Sequence, residues 1–175
     1  MTNKTLGLED AELASLLSQL NITYRVYHHP PLHDCQEADR LKLVRSGQRT
    51  KSLFLRDNYG KRHFLLITGA QASVDLKALS RQLKVSRLGF ASSQRLLRYL
   101  GVAPGHVSLL ALVKDPERAV QLLIDRELWQ GECLQCHPLD NRTTWVLSLQ
   151  DIECLLAYWR RPLELLTVPK LVTGS

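Results

Sequence analysis

The chain has 175 residues, 45% apolar and 23% charged, with a formal net charge of +6 and a pI near 9.3. That balance describes one globular domain with material for a proper core, and it excludes a disordered chain. The positive excess favours an anionic partner, nucleic acid first.

No apolar run approaches the roughly 18–20 residues of a membrane span, so no membrane partner is expected. The first residues are polar, and no apolar signal segment follows them. The four cysteines, Cys35, Cys133, Cys136 and Cys154, are too few for a disulfide framework. Together these point to a cytoplasmic protein.

Residues 9–20 carry Leu13, Leu16, Leu17 and Leu20, the spacing of an amphipathic helix. Glu9, Asp10 and Glu12 complement the dipole of its first turn, and Asn21 is a natural stop. Residues 23–28 are β-rich and end at Pro30-Pro31, which cannot continue a ladder. A weaker helix is expected over 34–44, followed by a turn at Ser46-Gly47.

The stretch 50–68 organises the chain. Leu53-Phe54-Leu55 and Phe64 to Ile67 are apolar runs separated by Asp57-Asn58-Tyr59-Gly60, which reads as a hairpin. Their near-continuous apolarity suits strands covered on both faces. Lys51 stands at the mouth of this hairpin, where a lysine is ordinarily a solvated strand end.

Further on, residues 75–83 form a helix on Leu76, Leu79 and Leu83, and 88–91 a short strand. Ser92 or Ser93 caps a helix that ends at Gly101. Residues 102–105 make a tight loop, and 107–113 read as a buried strand. Asp115-Pro116-Glu117 resembles a helix start, yet 120–124 reads equally well as a strand. Residues 134–137 and 143–147 are strands around the turn 138–141. Ser148-Leu-Gln-Asp151 is a capping box opening a helix on Ile152, Leu155, Leu156 and Trp159. Residues 160–175 lack a period and read as a surface tail. The fold class is α/β in the mixed α+β sense: a mixed sheet with helices around it.

Basic residues recur at Arg40, Lys42, Arg45, Arg49 and Lys51, and again at Arg81, Lys84, Arg87, Arg95 and Arg98. They form a candidate nucleic-acid surface, although solvated helix faces give the same pattern. Cys133-Leu-Gln-Cys136-His137 matches a haem-attachment pattern and offers three zinc ligands, with Cys154 on the apolar side of its helix as a fourth. A second ligand pair at finger spacing is absent, and cysteines in a β-segment are more often packing groups. No nucleophile elbow, phosphate loop, dinucleotide fingerprint or zinc-protease motif is present. An enzyme here would work by positioning and electrostatics.

Five segments stand in one order and spacing: Lys51-Ser-Leu-Phe-Leu, residues 74–79, residues 100–108, Asp125 after an apolar run, and His137-Pro-Leu-Asp-Asn-Arg-Thr-Thr144. Over residues 9–159 the chain thereby resembles the prolyl-tRNA-synthetase-associated editing domain family, whose fold is YbaK-like. The resemblance implies a largely antiparallel curved sheet surrounded by helices, with residues 1–160 as the editing domain and 161–175 as a tail. It implies hydrolysis of the ester in mischarged tRNA(Pro), with no cofactor and no metal. The implied partners are the acceptor end of that tRNA and, secondarily, prolyl-tRNA synthetase.

By the same resemblance the catalytic set is Lys51, Gly101, Pro104 and Gly105, and substrate contacts come from His106, Ser108, His137 and Asn141. The His137 to Asn141 ending is nearer to members that clear alanyl esters than to those that clear cysteinyl esters. The chain departs from the family at His106 and Leu109, where Ser and Pro are common. A non-catalytic tRNA- or synthetase-binding protein of the same fold is the rival reading. Retention of Lys51 and both loop glycines argues against it.

Overall fold

The structure, a computed structural model, describes residues 8–28, 47–139 and 142–172. The helix expected over 34–44, the Pro30-Pro31 stop and Asn141 lie outside these residues. Helix α1 (Leu8–Gln19) leads into β1 (Arg25–His28), then β2 (Thr50–Arg56) and β3 (His63–Gly69) form the hairpin. Next come α2 (Leu76–Leu83), β4 (Gly89–Phe90), α3 (Ser93–Leu100) and β5 (Val120–Asp125). Strands β6 (Cys133–Cys136) and β7 (Thr143–Ser148), helix α4 (Leu149–Tyr158) and β8 (Leu165–Leu166) complete the chain. Two 3-10 helices cover Leu109–Lys114 and Arg126–Gln130.

One sheet runs in the order β4-β2-β3-β5-β8 and the other β1-β7-β6. Pairing is antiparallel except for β3 with β5 and β5 with β8, so the sheet is mixed. The two sheets touch where Gln48, just before β2, forms a parallel bridge with Leu134 of β6. The Gln48 N–H donates to the Cys133 carbonyl at 3.0 Å, and the Gln135 N–H donates to the Gln48 carbonyl at 2.9 Å.

The continuous apolar runs of the hairpin are explained by two cores. Phe54, Leu65, Ile67, Leu122 and Ile124 face one, shared with α1, α3, α4 and the second sheet. The alternate residues Leu55, Phe64, Leu66 and Leu123 face the other, with Leu79 of α2. Each such side chain contributes roughly 1.5–3 kcal/mol by leaving water. The connection between them is wider than a tight turn. The Asp57 carboxylate accepts from the N–H groups of Lys61 (2.8 Å) and Arg62 (3.1 Å), and Gly60 takes φ +67°.

Several local expectations hold in detail. Asn21 ends α1 with φ 58°, Asp75 caps α2, Ser92 caps α3, and the Ser148 hydroxyl accepts from the Asp151 N–H. Others are corrected. Residues 107–113 are not a strand: Ser108 caps a 3-10 helix whose residues Leu109 to Leu112 are buried. A short apolar run enclosed on all sides carries no period, so its geometry is decided by the cap. Asp115 does not start a helix. Its carboxylate accepts from the Ala119 and Val120 N–H groups and so holds the turn into β5.

Residues after 160, expected as a surface tail, are woven into the fold. Arg161 forms a buried ion pair with Asp115 at 2.9 Å, β8 extends the large sheet, and Val74 bridges Lys170. Cys154, expected on the apolar side of its helix, is exposed.

Candidate active site

Strand alternation places Lys51, Leu53 and Leu55 on the second-core face of β2, with Lys51 opposite Thr68. Across the parallel bridge, Gln48 and Leu134 share the first-core face. Counting forward from the bridge matches Lys51 with His137, which lies one residue past the end of β6. The Thr50 hydroxyl strengthens the join by donating to the Gln135 carbonyl at 3.0 Å.

Beyond this point the outer edge of β2 changes partner. Gln48 bonds to β6, whereas the Phe54 carbonyl accepts from Ala91 just after β4. Between them no strand pairs with the β2 edge at Ser52 among the described residues. Lys51 is next to that open edge and makes no ion pair among the described residues. The nearest carboxylate by register, Asp125, is committed elsewhere: Thr68 Oγ1 donates to it at 2.7 Å and Lys170 Nζ lies at 3.2 Å. Glu127 and Asp125 in turn hold the Lys170 ammonium above the usual lysine range.

The glycine loop approaches from the other side. Gly101 closes α3 in the left-handed conformation, φ +66°, its N–H donating to the Leu97 carbonyl at 3.0 Å. Residues 103–106 form a type II turn: Pro104 and Gly105 are central, Gly105 has φ +87°, and the His106 N–H donates to the Ala103 carbonyl at 3.1 Å. Pro104 has no N–H and that of His106 is used within the turn, so Gly105 holds the turn's uncommitted donor.

The loop is tied to the His137 corner twice. The Ser108 hydroxyl donates to the His137 carbonyl while accepting from the Leu110 N–H. His106 Nδ1 reaches the Leu139 carbonyl at 3.4 Å, and His137 Nδ1 reaches the Thr143 carbonyl at 3.3 Å. A carbonyl only accepts, so both Nδ1 atoms carry the proton.

The structure ties His106 and Ser108 to the Leu139 and His137 carbonyls, with Pro104 and Gly105 in the adjoining turn and Gly101 at the end of α3, while Lys51 lies on β2 opposite Thr68. Asn141 lies outside the described residues. Sequence reading missed Thr68 and Lys170, which neutralise Asp125; a hydroxyl ending an apolar run was the only signal. Cys136 is buried, and burial pushes its thiol up to about 12. Among the described residues no cluster of three His, Cys, Asp or Glu could hold a metal ion, and no helix is long and apolar enough to cross a membrane.

Comparison with known proteins gives first a class and then a family. A solved structure described as a candidate trans-editing enzyme for prolyl tRNA synthetase superposes with a TM-score of 0.68 at 16% identity, covering 94% of this chain and 99% of that one. At that identity the match establishes the fold. The aminoacyl-tRNA editing domain model matches residues 29–155, and the chain belongs to this family of editing hydrolases. The prolyl-tRNA editing protein ProX of Acetoanaerobium sticklandii is 34% identical over 137 residues, covering 78% of this chain and 84% of its own. A prolyl-tRNA synthetase associated domain-containing protein of Danio rerio is 36% identical over 143 residues, 81% of this chain and 77% of its own.

Proposed function

We propose that the chain is a deacylase acting in trans on mischarged tRNA(Pro), with the alanyl ester as its preferred substrate. The observation that carries the reading is the match of residues 29–155 to the aminoacyl-tRNA editing domain, with Lys51 at an open sheet edge and the Gly105 turn next to the His137 corner as the candidate machinery. Relatives of similar length named for prolyl-tRNA editing support the tRNA, and prolyl-tRNA synthetase is the secondary partner.

The chemistry follows from what these groups offer. Lys51 supplies a compact, flexible positive charge for phosphate or ribose oxygens of the terminal adenosine. The Gly105 N–H is aimed as an oxyanion donor for the ester carbonyl, whose negative charge grows as water attacks. The site offers no strong protein nucleophile, so water adds to the carbonyl carbon. The neighbouring ribose hydroxyl orients that water, and the ester oxygen leaves with a proton to restore the ribose. His137 and His106 border the aminoacyl side, where they exclude bulk and fix the ester's orientation. A pocket discriminates single methylenes by only about 1–3 kcal/mol, so rejection of the larger prolyl ring rests on steric exclusion.

Lys51→Ala tests the reading. It should reduce single-turnover deacylation of alanyl-tRNA(Pro) at least about 100-fold, some 2.7 kcal/mol of barrier, while the melting temperature stays within a degree or two. Near-wild-type turnover would return Lys51 to an ordinary solvated strand residue.

A further inference from the structure

Phe90 is 64% exposed on the two-residue edge strand β4. An isolated exposed apolar residue is unremarkable, but the position of this one is informative. Phe90 pairs with Leu55, and Leu55 shares its face of β2 with Lys51. The ring thus lies on the same face as Lys51, four residues further along, about 13 Å at the usual strand rise. The open β2 edge at Ser52 lies between them.

A hollow of about 790 Å³ adjoins this strand, with Leu88, two residues before Phe90 on the same face, in its wall. Its apolar lining includes Leu76 and Val85, and three exposed cations, Lys77, Arg81 and Arg87, surround it. An exposed aromatic plane flanked by cations is the combination that holds single-stranded nucleic acid: the ring stacks on a base and the cations follow the backbone. A protein partner would be expected to cover apolar surface ringed by mixed charge, whereas every charged residue lining this hollow is positive.

We propose that Phe90 is a stacking platform for a nucleobase of the single-stranded RNA end that precedes the esterified nucleotide. The proposal rests on the deacylase reading for the placement of the terminal nucleotide at Lys51. It adds that one of the preceding bases leaves the RNA stack and lies on the Phe90 ring, with Lys77, Arg81 and Arg87 facing the backbone leading to it. The RNA strand then follows the open edge of β2 from Phe90 to Lys51, which fixes the direction in which the substrate enters.

The test uses the full chain and an uncharged RNA microhelix ending in CCA, beside the same microhelix with abasic sites at the two cytidines, bound by fluorescence anisotropy at fixed salt. For the wild type, removing the bases should weaken binding about 5- to 150-fold, the range measured for one stacked base in other proteins. Phe90→Ala should bind the intact RNA more weakly by a similar factor and be indifferent to the abasic change. Phe90→Trp should restore both the affinity and the sensitivity to the bases. In deacylation, Phe90→Ala should raise KM more than it lowers kcat. Equal base sensitivity in the wild type and Phe90→Ala would overturn the inference. Because binding is read on uncharged RNA, that result is separable from a failure of the deacylase reading, which would appear as no turnover by the wild type.

Discussion

At Gly105 the backbone takes φ +87°, and a methyl group built there meets no atom within 4 Å. Substitution by alanine therefore acts through conformation and not through a clash. A left-handed alanine costs roughly 1–2 kcal/mol, and the turn relaxes by rotating the peptide that carries the donor. Gly105→Ala should lower kcat at least about tenfold, up to the 10²–10³ seen on losing one oxyanion donor, with tRNA affinity much less affected. His106→Ser keeps the turn and loses only the 3.4 Å contact to the Leu139 carbonyl, so its effect should be far milder. A folded Gly105→Ala with full kcat, or one defective in tRNA binding alone, would remove the turn from the chemistry. The positive φ at both loop glycines was legible in the sequence, because a helix stop and a Pro-Gly pair are local signals. The bridge between Gln48 and Leu134 that joins the two sheets next to Lys51 was not, because no local pattern encodes which strands meet.

At the scale of elements, the hairpin and its supports form a unit around His63. The ring is buried, stacked 4.1 Å from Tyr99 and 5.6 Å from Phe54, with Nε2 3.1 Å from Arg95 Nη1. Burial depresses its pKa below the ordinary value. The Arg95, Arg56 and Arg98 charges depress it further, opposed only by Asp57. Since the folded pKa lies below the unfolded one, the unfolded chain takes up the proton first on acidification. Stability is fully present above about pH 6.5 and is lost as pH falls from there towards the folded value. The melting temperature should therefore drop between pH 7.5 and pH 5, and His63→Phe, which keeps the ring stack, should flatten that slope. Asp57 does not confuse the measurement. Its carboxylate is held below the usual range, first by the Arg62 N–H, so its stability is lost only at lower pH. An unchanged slope in His63→Phe would assign the acid sensitivity to another group. Sequence reading recognised this hairpin because two apolar runs around Asp-Asn-Tyr-Gly are local. It misread 107–113 because four successive buried apolar residues fit a strand as well as a 3-10 turn, and Ser108 before the run was the overlooked cap signal.

For the whole molecule, the two cores frame a sheet whose β2 edge is left open at Ser52. Strands β3 and β5 are buried along most of their length, whereas β2 is buried only at Phe54 and Leu55 and half-buried elsewhere, and its outer edge exchanges one partner for another. The distant Asp115–Arg161 pair and β8 close the opposite side, so the chain after 160 stabilises the sheet that carries Lys51. That long-range role was invisible in a segment with two prolines and no period. The central claim is that this frame hydrolyses a wrongly attached amino acid and spares the right one. A deacylation panel with alanyl-, cysteinyl-, seryl- and prolyl-tRNA(Pro) under identical salt addresses it most directly. The account predicts fastest hydrolysis of the alanyl ester and a prolyl ester that decays at the uncatalysed rate. Hydrolysis of prolyl-tRNA(Pro) as fast as the alanyl form, or tight tRNA binding with no hydrolysis of any of the four, would contradict it.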